Sequence, residues 1–310
     1  MAIDRQASHS IAVLVPCYNE QQTIGKVVRD FRAALPQADI YVYDNNSADG
    51  TIAEAKAAGA IVRTETHQGK GNVVRRMFAD VDADIYILVD GDGTYDAASA
   101  PRLVEALIDG NLDMVNAARI TEVKQAYRMG HKFGNRLLTG LVRMAFGERF
   151  KDMLSGYRAM SRRFVRSFPA LSDGFEIETE LTVHALRLRI PAAEIDTPYF
   201  ARPEGSASKL NTFRDGFRIL RVIGRMIRDE KPLQFFSILS VLLLAVSAVI
   251  VTPVIVTYLE TGLVPRFPTL FVAVGLGVVA VLSFAIGLVL DTLSRLRFEV
   301  RRLAYLAERR

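Results

Sequence analysis

A single cysteine, Cys17, stands among the 310 residues. Intramolecular disulfides and cysteine-based zinc sites are thereby excluded. The chain carries no helix-turn-helix, zinc-finger or RNP-type pattern. Its net charge of +5 and pI near 9.3 therefore point to an anionic surface or substrate, with no nucleic acid expected as partner. No G-x-G-x-x-G follows the first apolar run, and Gly69-Lys70-Gly71 lacks the spacing of a P-loop, which argues against dinucleotide and Walker-type sites. Met1 to Ser10 is polar and has no apolar h-region, so no cleaved signal peptide is expected and the first domain is expected to stay in the cytoplasm.

What the chain does have is concentrated in one stretch, Ile85-Tyr86-Ile87-Leu88-Val89-Asp90-Gly91-Asp92-Gly93-Thr94. An uncharged apolar run of this length suits a strand buried on both faces of a parallel sheet. It stops in two carboxylates at i and i+2, which share one side of an extended segment. They would project at the carboxyl edge, where open α/β sheets bind ligands. Two such carboxylates repel each other unless a divalent cation sits between them and a phosphate, the arrangement in which Mg²⁺ is commonly held.

The surrounding pattern repeats this design. Ile11 to Val15 reads as a first strand ended by Pro16-Cys17-Tyr18-Asn19-Glu20, and a helix from Gln22 to Leu35 follows, with Ile24, Val27, Val28 and Phe31 on one face. Ile40 to Tyr43 reads as a second strand, stopped by Asp44-Asn45-Asn46-Ser47-Ala48-Asp49-Gly50-Thr51; an Ala-rich helix runs to Ala58 and a short strand covers 60–63. Gly69-Lys70-Gly71 opens the next helix, and Met114 to Ala118 forms a strand running into Arg119. Alternating strands and helices over the first ~115 residues imply βαβ units and a parallel sheet. The region Arg128 to Phe146 is helical in pattern, and its wide apolar stripe suits either a core helix or a membrane-facing one.

The last third changes character. From Asn211 to Lys231, Phe213, Phe217, Leu220 and Ile227 line one face beside a stripe of Arg214, Arg218, Arg221, Arg225 and Arg228, as expected of an interfacial helix that binds anionic lipids. Phe235 to Leu259 and Pro268 to Leu290 are each long enough to cross a bilayer, which takes ~20 residues. Arg225, Arg228 and Lys231 precede this hairpin and Arg295, Arg297, Arg301 and Arg302 follow it, while Arg266 alone lies between the spans. The positive-inside rule then puts the N-terminal domain and the C-terminal tail in the cytoplasm.

Val15-Pro16-Cys17-Tyr18-Asn19-Glu20, the 44–51 run, Gly69-Lys70-Gly71, Asp90-Gly91-Asp92 and Ser155-Gly156-Tyr157-Arg158, in this order, resemble family 2 glycosyltransferases of the GT-A fold. Arg202-x-x-Gly205-Ser206-x-Ser208-Lys209-Leu210, just before the amphipathic segment, makes the chain similar to the polyprenyl-phosphate hexosyltransferases and dolichol-phosphate mannose synthases. The resemblance implies an α/β, mostly parallel GT-A catalytic domain over 1–210, an amphipathic juxtamembrane helix at 211–233, a transmembrane hairpin at 234–292 and a basic tail at 293–310.

It further implies inverting transfer of a hexose from a nucleotide sugar, of the UDP-glucose or GDP-mannose type, to a polyprenyl phosphate, by an enzyme that needs Mg²⁺ or Mn²⁺ and assembles as a tetramer. Pro16, Tyr18, Asn19, Glu20, Asp44 and Asn46 would line the nucleotide pocket, where Asn45 departs from the family's Asp-Asp, and Lys70 would lie near the donor pyrophosphate with Asp90 and Gly91. Asp92 would be the main metal ligand, with Asp90 and Thr94 assisting. Arg119, Arg128, Lys132, Arg202 and Lys209 would clamp the acceptor phosphate. Asp152 is the candidate general base or acceptor-orienting carboxylate, and Glu178 the candidate donor-sugar contact. The rival readings are a glycosyltransferase acting on another lipid and a non-catalytic nucleotide-sugar-binding membrane protein. Processive polysaccharide synthases carry Gln-x-x-Arg-Trp, which a chain without tryptophan cannot contain.

Overall fold

The computed structural model describes residues 9–120, 150–174, 176–202, 224–225 and 228–308. Two compact units emerge, one of residues 1–219 with 300–310 and one of residues 220–299.

Among the described residues of the first unit, seven strands form one sheet in the order β3-β2-β1-β4-β6-β5-β7. β1 (Ile11–Cys17) is almost wholly buried and pairs in parallel with both β2 (Asp39–Asp44) and β4 (Ile85–Leu88). β3 (Ile61–Thr64) extends that side, and β5 (Met114–Ile120) pairs in parallel with β7 (Ala192–Pro198) on the other. β6 (Arg158–Ser161) lies between β4 and β5, antiparallel to both. The continuous apolar runs seen in the sequence are therefore strands covered on both faces. The ladder at 85–89 ends at Leu88, although Val89 N still donates to Leu14 O at 3.1 Å.

Helices cover the faces. α1 (Gln21–Ala34) buries Ile24, Val27, Val28 and Phe31, the face its spacing foretold. α2 (Thr51–Ala57), α3 (Lys70–Asp80), α4 (Ala100–Asp109), α5 (Arg162–Ser167) and α6 (Ile177–Leu188) follow. α4 adds Leu103, Val104 and Leu107 to the core beside β1 and β4. Residues 300–308 also belong to this unit, and there Tyr305 Oη donates to the fully buried Asp113 carboxylate at 2.6 Å.

This topology sets where a ligand can go. The chain runs β1, β2, β3 to one side and then returns to place β4 on the other side of β1, so a crevice opens between the carboxyl ends of β1 and β4. Because β6 runs opposite to its neighbours, its amino end, preceded by Ser155-Gly156-Tyr157, lies at that same edge. The helix expected over Arg128 to Phe146 lies outside the described residues, as does the amphipathic segment apart from residues 224–225 and 228–231.

In the second unit, α7 (Pro232–Thr261) and most of α8 (Phe267–Ala307) form an antiparallel hairpin. Ser247 Oγ donates to Ala273 O at 2.7 Å, and Ser294 Oγ donates to Glu230 O at 3.4 Å. Small residues Ser240, Ala273, Ala280, Ser283 and Gly287 fill the seam, which lets the backbones approach. Leu259 and Val249 are 77% and 75% exposed, and most other large apolar residues here face outward too. Both helices are long and apolar enough to cross a membrane. The hydroxyls of Thr252, Thr257, Thr261, Ser283 and Thr292 each donate to the carbonyl four residues back, so these polar groups are satisfied within their own helices.

A Cβ added at Gly287 would fall 2.8 Å from Phe236 Cβ, whereas one added at Gly275 meets nothing within 4 Å. Gly287→Leu is expected to destabilise the hairpin by about 1–3 kcal/mol. Thermal melts in detergent should show a clear drop for Gly287→Leu and little change for Gly275→Leu.

Candidate active site

The two carboxylates follow the end of β4, at the carboxyl edge of the sheet, and are already partnered. Gly91 is required between them because a Cβ there would sit 2.5 Å from Cys17 Sγ, and Gly93 adopts φ +71°, a left-handed turn. Asp92 is 4% exposed. Its Oδ1 accepts from Thr94 N at 3.1 Å and from Thr94 Oγ1 at 2.6 Å, and its Oδ2 accepts from Arg202 Nη2 at 2.6 Å. Thr94 therefore acts on the Asp92 carboxylate itself. Asp90 pairs with the Lys70 ammonium, and its Oδ2 packs so closely on Gly156 that a Cβ there would lie 2.5 Å away.

Lys70 reaches this point through a tight loop. Gly69, at φ +133°, donates its N–H to Asn45 Oδ1 at 2.7 Å, and Gly71 N donates to Asp173 O at 3.0 Å. A Cβ on Gly71 would fall 2.0 Å from Ser172 O, so the glycines are dictated by close backbone approach. The Lys70 ammonium bridges Asp90 and Glu178, with Lys70 and Glu178 side chains only 8% and 7% exposed. Burial favours a neutral amine, but the two carboxylates outweigh it and hold the ammonium charged. Burial pushes the Glu178 carboxyl up, and its Oε2 has no hydrogen-bond partner among the described residues.

Asn45 explains itself here. Its Nδ2 donates to Glu65 O at 2.8 Å and His67 O at 2.9 Å, while Oδ1 accepts from Gly69 N and from Gln68 Nε2 at 3.3 Å. An aspartate could accept the last two but could not donate the first two. The departure from Asp-Asp is thus a staple that fixes the loop carrying Lys70. Asp44 beside it is buried; Oδ2 accepts from Ser47 N at 3.0 Å, and Oδ1 has no partner among the described residues. Such an orphaned acceptor at the strand edge suits an N–H donor from a bound base.

The other residues expected to hold the nucleotide lie at the carboxyl ends of β1 and β2. Asn19 and Asn46 sit at φ 52° and 64°, the left-handed region that asparagine tolerates. Asn19 Oδ1 accepts from Ala48 N at 2.8 Å, and Asn46 Nδ2 donates to Thr66 O at 2.8 Å. Glu20 is buried with its N–H donating to Thr51 Oγ1 at 2.9 Å, Pro16 lies half-buried in β1, and Tyr18 is exposed.

Arg119, at the end of β5, grips Asp152 through two parallel bonds, Nε to Oδ2 at 2.7 Å and Nη2 to Oδ1 at 2.8 Å. Burial works to raise the Asp152 carboxyl, but the Arg119 guanidinium outweighs it and holds it below the ordinary range. A carboxylate so held is a weak proton acceptor and a good orienter of its arginine. Arg128, Lys132 and Lys209 lie outside the described residues.

Several residues escaped sequence reasoning as individuals. Arg158 has no exposed surface; it donates to Met153 O at 2.9 Å, Ser155 O at 3.2 Å and Glu178 O at 2.9 Å, tying the start of β6 to the start of α6. Tyr95 Oη accepts from Gly156 N at 2.8 Å, and Tyr95 stacks edge-on with both Tyr157 and Tyr199. Only the Ser155-to-Arg158 motif hinted at any of this.

Among the described residues no group of three or more carboxylates, imidazoles and thiolates forms a closed metal site. Asp90 and Asp92 instead offer two hard oxygen ligands on one open edge, a set that fits Mg²⁺ or Mn²⁺ completed by a ligand's phosphates.

The sequence model of glycosyl transferase family 2 matches residues 12–168. Glycosyltransferase AglJ of Haloferax volcanii is 35% identical over 230 residues, 74% of this chain and 75% of that protein. The dolichyl-phosphate hexose transferase of the same organism is 27% identical over 222 residues, 71% of this chain and 95% of that one. Among solved structures, glucosyl-3-phosphoglycerate synthase of Mycobacterium tuberculosis, in complex with Mn²⁺, UDP and glucosyl-3-phosphoglycerate, aligns with a TM-score of 0.60 at 23% identity, over 73% of this chain and 81% of that one. The fold is GT-A.

Lys70→Met would leave the buried Glu178 and the half-buried Asp90 without their shared cation, at a cost of about 3–5 kcal/mol. Thermal melts should show a large drop. Asn45→Asp should cost about 1–3 kcal/mol in the same melts, because the buried Glu65 carbonyl and the partly buried His67 carbonyl lose their donor.

Proposed function

This chain belongs to glycosyl transferase family 2, and from that premise we propose that it transfers a hexose, with inversion, from a nucleotide sugar to the phosphate of a polyprenyl phosphate at the cytoplasmic face of a membrane. The observation that carries this reading is a row of ion pairs at one sheet edge, Lys70 with Asp90, Arg202 with Asp92 and Arg119 with Asp152. Breaking a glycosyl–phosphate bond builds negative charge on the departing diphosphate, and fixed cations in a sheltered site stabilise it most.

Asp92 and Asp90 would hold Mg²⁺ or Mn²⁺, which when bound supplies Lewis-acid stabilisation of that charge. Lys70, kept protonated against Asp90, offers a cation to the diphosphate. The Asp44 Oδ1 acceptor and Tyr18, Asn19, Glu20 and Asn46 take the base and ribose, and the orphaned Glu178 Oε2 accepts from a sugar hydroxyl. A lipid phosphate is already anionic near neutral pH, so the acceptor needs orientation more than deprotonation. Asp152 fixes the Arg119 fork, which matches phosphate oxygens, with Arg128, Lys132, Arg202 and Lys209 completing the clamp.

The lipid acceptor is supported by the two outward-facing apolar helices and by the relative named as a dolichyl-phosphate hexose transferase. The excess of arginine flanking the hairpin supports a cytoplasmic position for both termini under the positive-inside rule.

Purified protein with Mn²⁺, a panel of UDP- and GDP-hexoses and a polyprenyl phosphate should release nucleoside diphosphate only when the lipid phosphate is present. Asp92→Asn should lower this rate by at least about 10²-fold. Release that does not depend on lipid phosphate removes the acceptor assignment, and ordinary turnover in Asp92→Asn or in excess EDTA removes the metal role.

A further inference from the structure

Arg202 is expected at the acceptor phosphate, yet it rests on the carboxylate expected to bind the metal. The segment that carries it is zipped to the loop after β4. Tyr199 bridges to Tyr95, Tyr199 N donates to Ile120 O at 3.0 Å, and Phe200 N donates to Thr94 O at 2.8 Å. Two residues later the Arg202 guanidinium meets Asp92 Oδ2 at 2.6 Å.

The two partners differ in exposure. Asp92 is pinned by two bonds from Thr94 to Oδ1, and its side chain is 6% exposed, so it presents Oδ2 from a fixed position. The Arg202 side chain, 29% exposed, is the more accessible of the two and sits on a connecting segment beyond the last strand. A guanidinium and a divalent cation cannot share one carboxylate oxygen without strong like-charge repulsion in a half-buried site.

We propose that Arg202 competes with the metal ion for Asp92, and that loading of the metal and nucleotide expels Arg202 and delivers it to the acceptor phosphate. This rests on the reading of Asp92 as the metal ligand. One cation thereby serves two sites in turn. Without a donor it neutralises Asp92 and is withheld from the lipid phosphate; with a donor bound it is released to the acceptor. The sites are coupled through one side chain with two alternative partners, and the acceptor binds more tightly after the donor than before it.

Mn²⁺ affinity of the full chain in detergent, without nucleotide, tests this directly by calorimetry or by the paramagnetic resonance of free Mn²⁺. Arg202→Gln should bind Mn²⁺ roughly tenfold or more tightly than the unmodified protein. Arg202→Lys, which keeps the charge, should stay close to the unmodified protein, and Asp92→Asn should lose binding. Equal or weaker binding by Arg202→Gln overturns the competition while leaving Asp92 as ligand. Undiminished binding by Asp92→Asn overturns the ligand assignment and the competition with it. A second measurement needs no variant: a short-chain polyprenyl phosphate should bind the unmodified protein several-fold more tightly in the presence of Mn²⁺ and nucleoside diphosphate. Identical affinity with and without them overturns the release of Arg202.

Discussion

Acidic side chains crowd the carboxyl edge of this sheet, and the structure around them is arranged to bring cations to meet them. Lys70 answers Asp90 and Glu178, Arg202 answers Asp92, and Arg119 answers Asp152. Each cation comes from a different element, and each is positioned by a constraint of its own. A loop threaded through glycines carries Lys70, the end of β5 carries Arg119, and a segment zipped to the β4 loop carries Arg202. Partly buried charges of this kind are costly when alone and tolerable when paired. The same pairing gathers at one edge cations of the kind that match phosphate oxygens.

Support beneath the edge is aromatic and uncharged. Phe31, Tyr157, Tyr95 and Tyr199 stack edge to face in succession, and Tyr95 fixes Gly156 against the Asp90 carboxylate. Burial raises the tyrosine hydroxyls, so they remain neutral in this charged neighbourhood. Arg158 adds a buried clamp from the opposite-running strand to the first turn of α6. In this way β6, whose direction breaks the parallel pattern, ties two of the acid-bearing segments together.

Much of this was legible in the sequence, where local patterns decide. Apolar runs that ended in acids gave β1, β2 and β4 and the sense in which they point, since a covered parallel strand has one readable signature. The hairpin was equally plain from length and apolarity. β6 and β7 were not, because Arg158–Ser161 is short and Ala192–Pro198 is a half-buried edge strand with little pattern. Ionic partnerships were also hidden. Lys70 and Glu178 lie 108 positions apart, and Arg202 and Asp92 lie 110 apart, so nothing in either neighbourhood names the other. Asn45 looked like a lapse from a motif until its four hydrogen bonds showed why an amide is needed there.

The account stands on Asp92 as the point where a cation meets a departing diphosphate. A structure of the full chain with Mn²⁺ and a nucleoside diphosphate, with manganese located by its anomalous scattering, addresses that point most directly. The account predicts a manganese peak within bonding distance of an Asp92 carboxylate oxygen and of the diphosphate. A peak elsewhere, or a diphosphate bound away from Asp92, would contradict it.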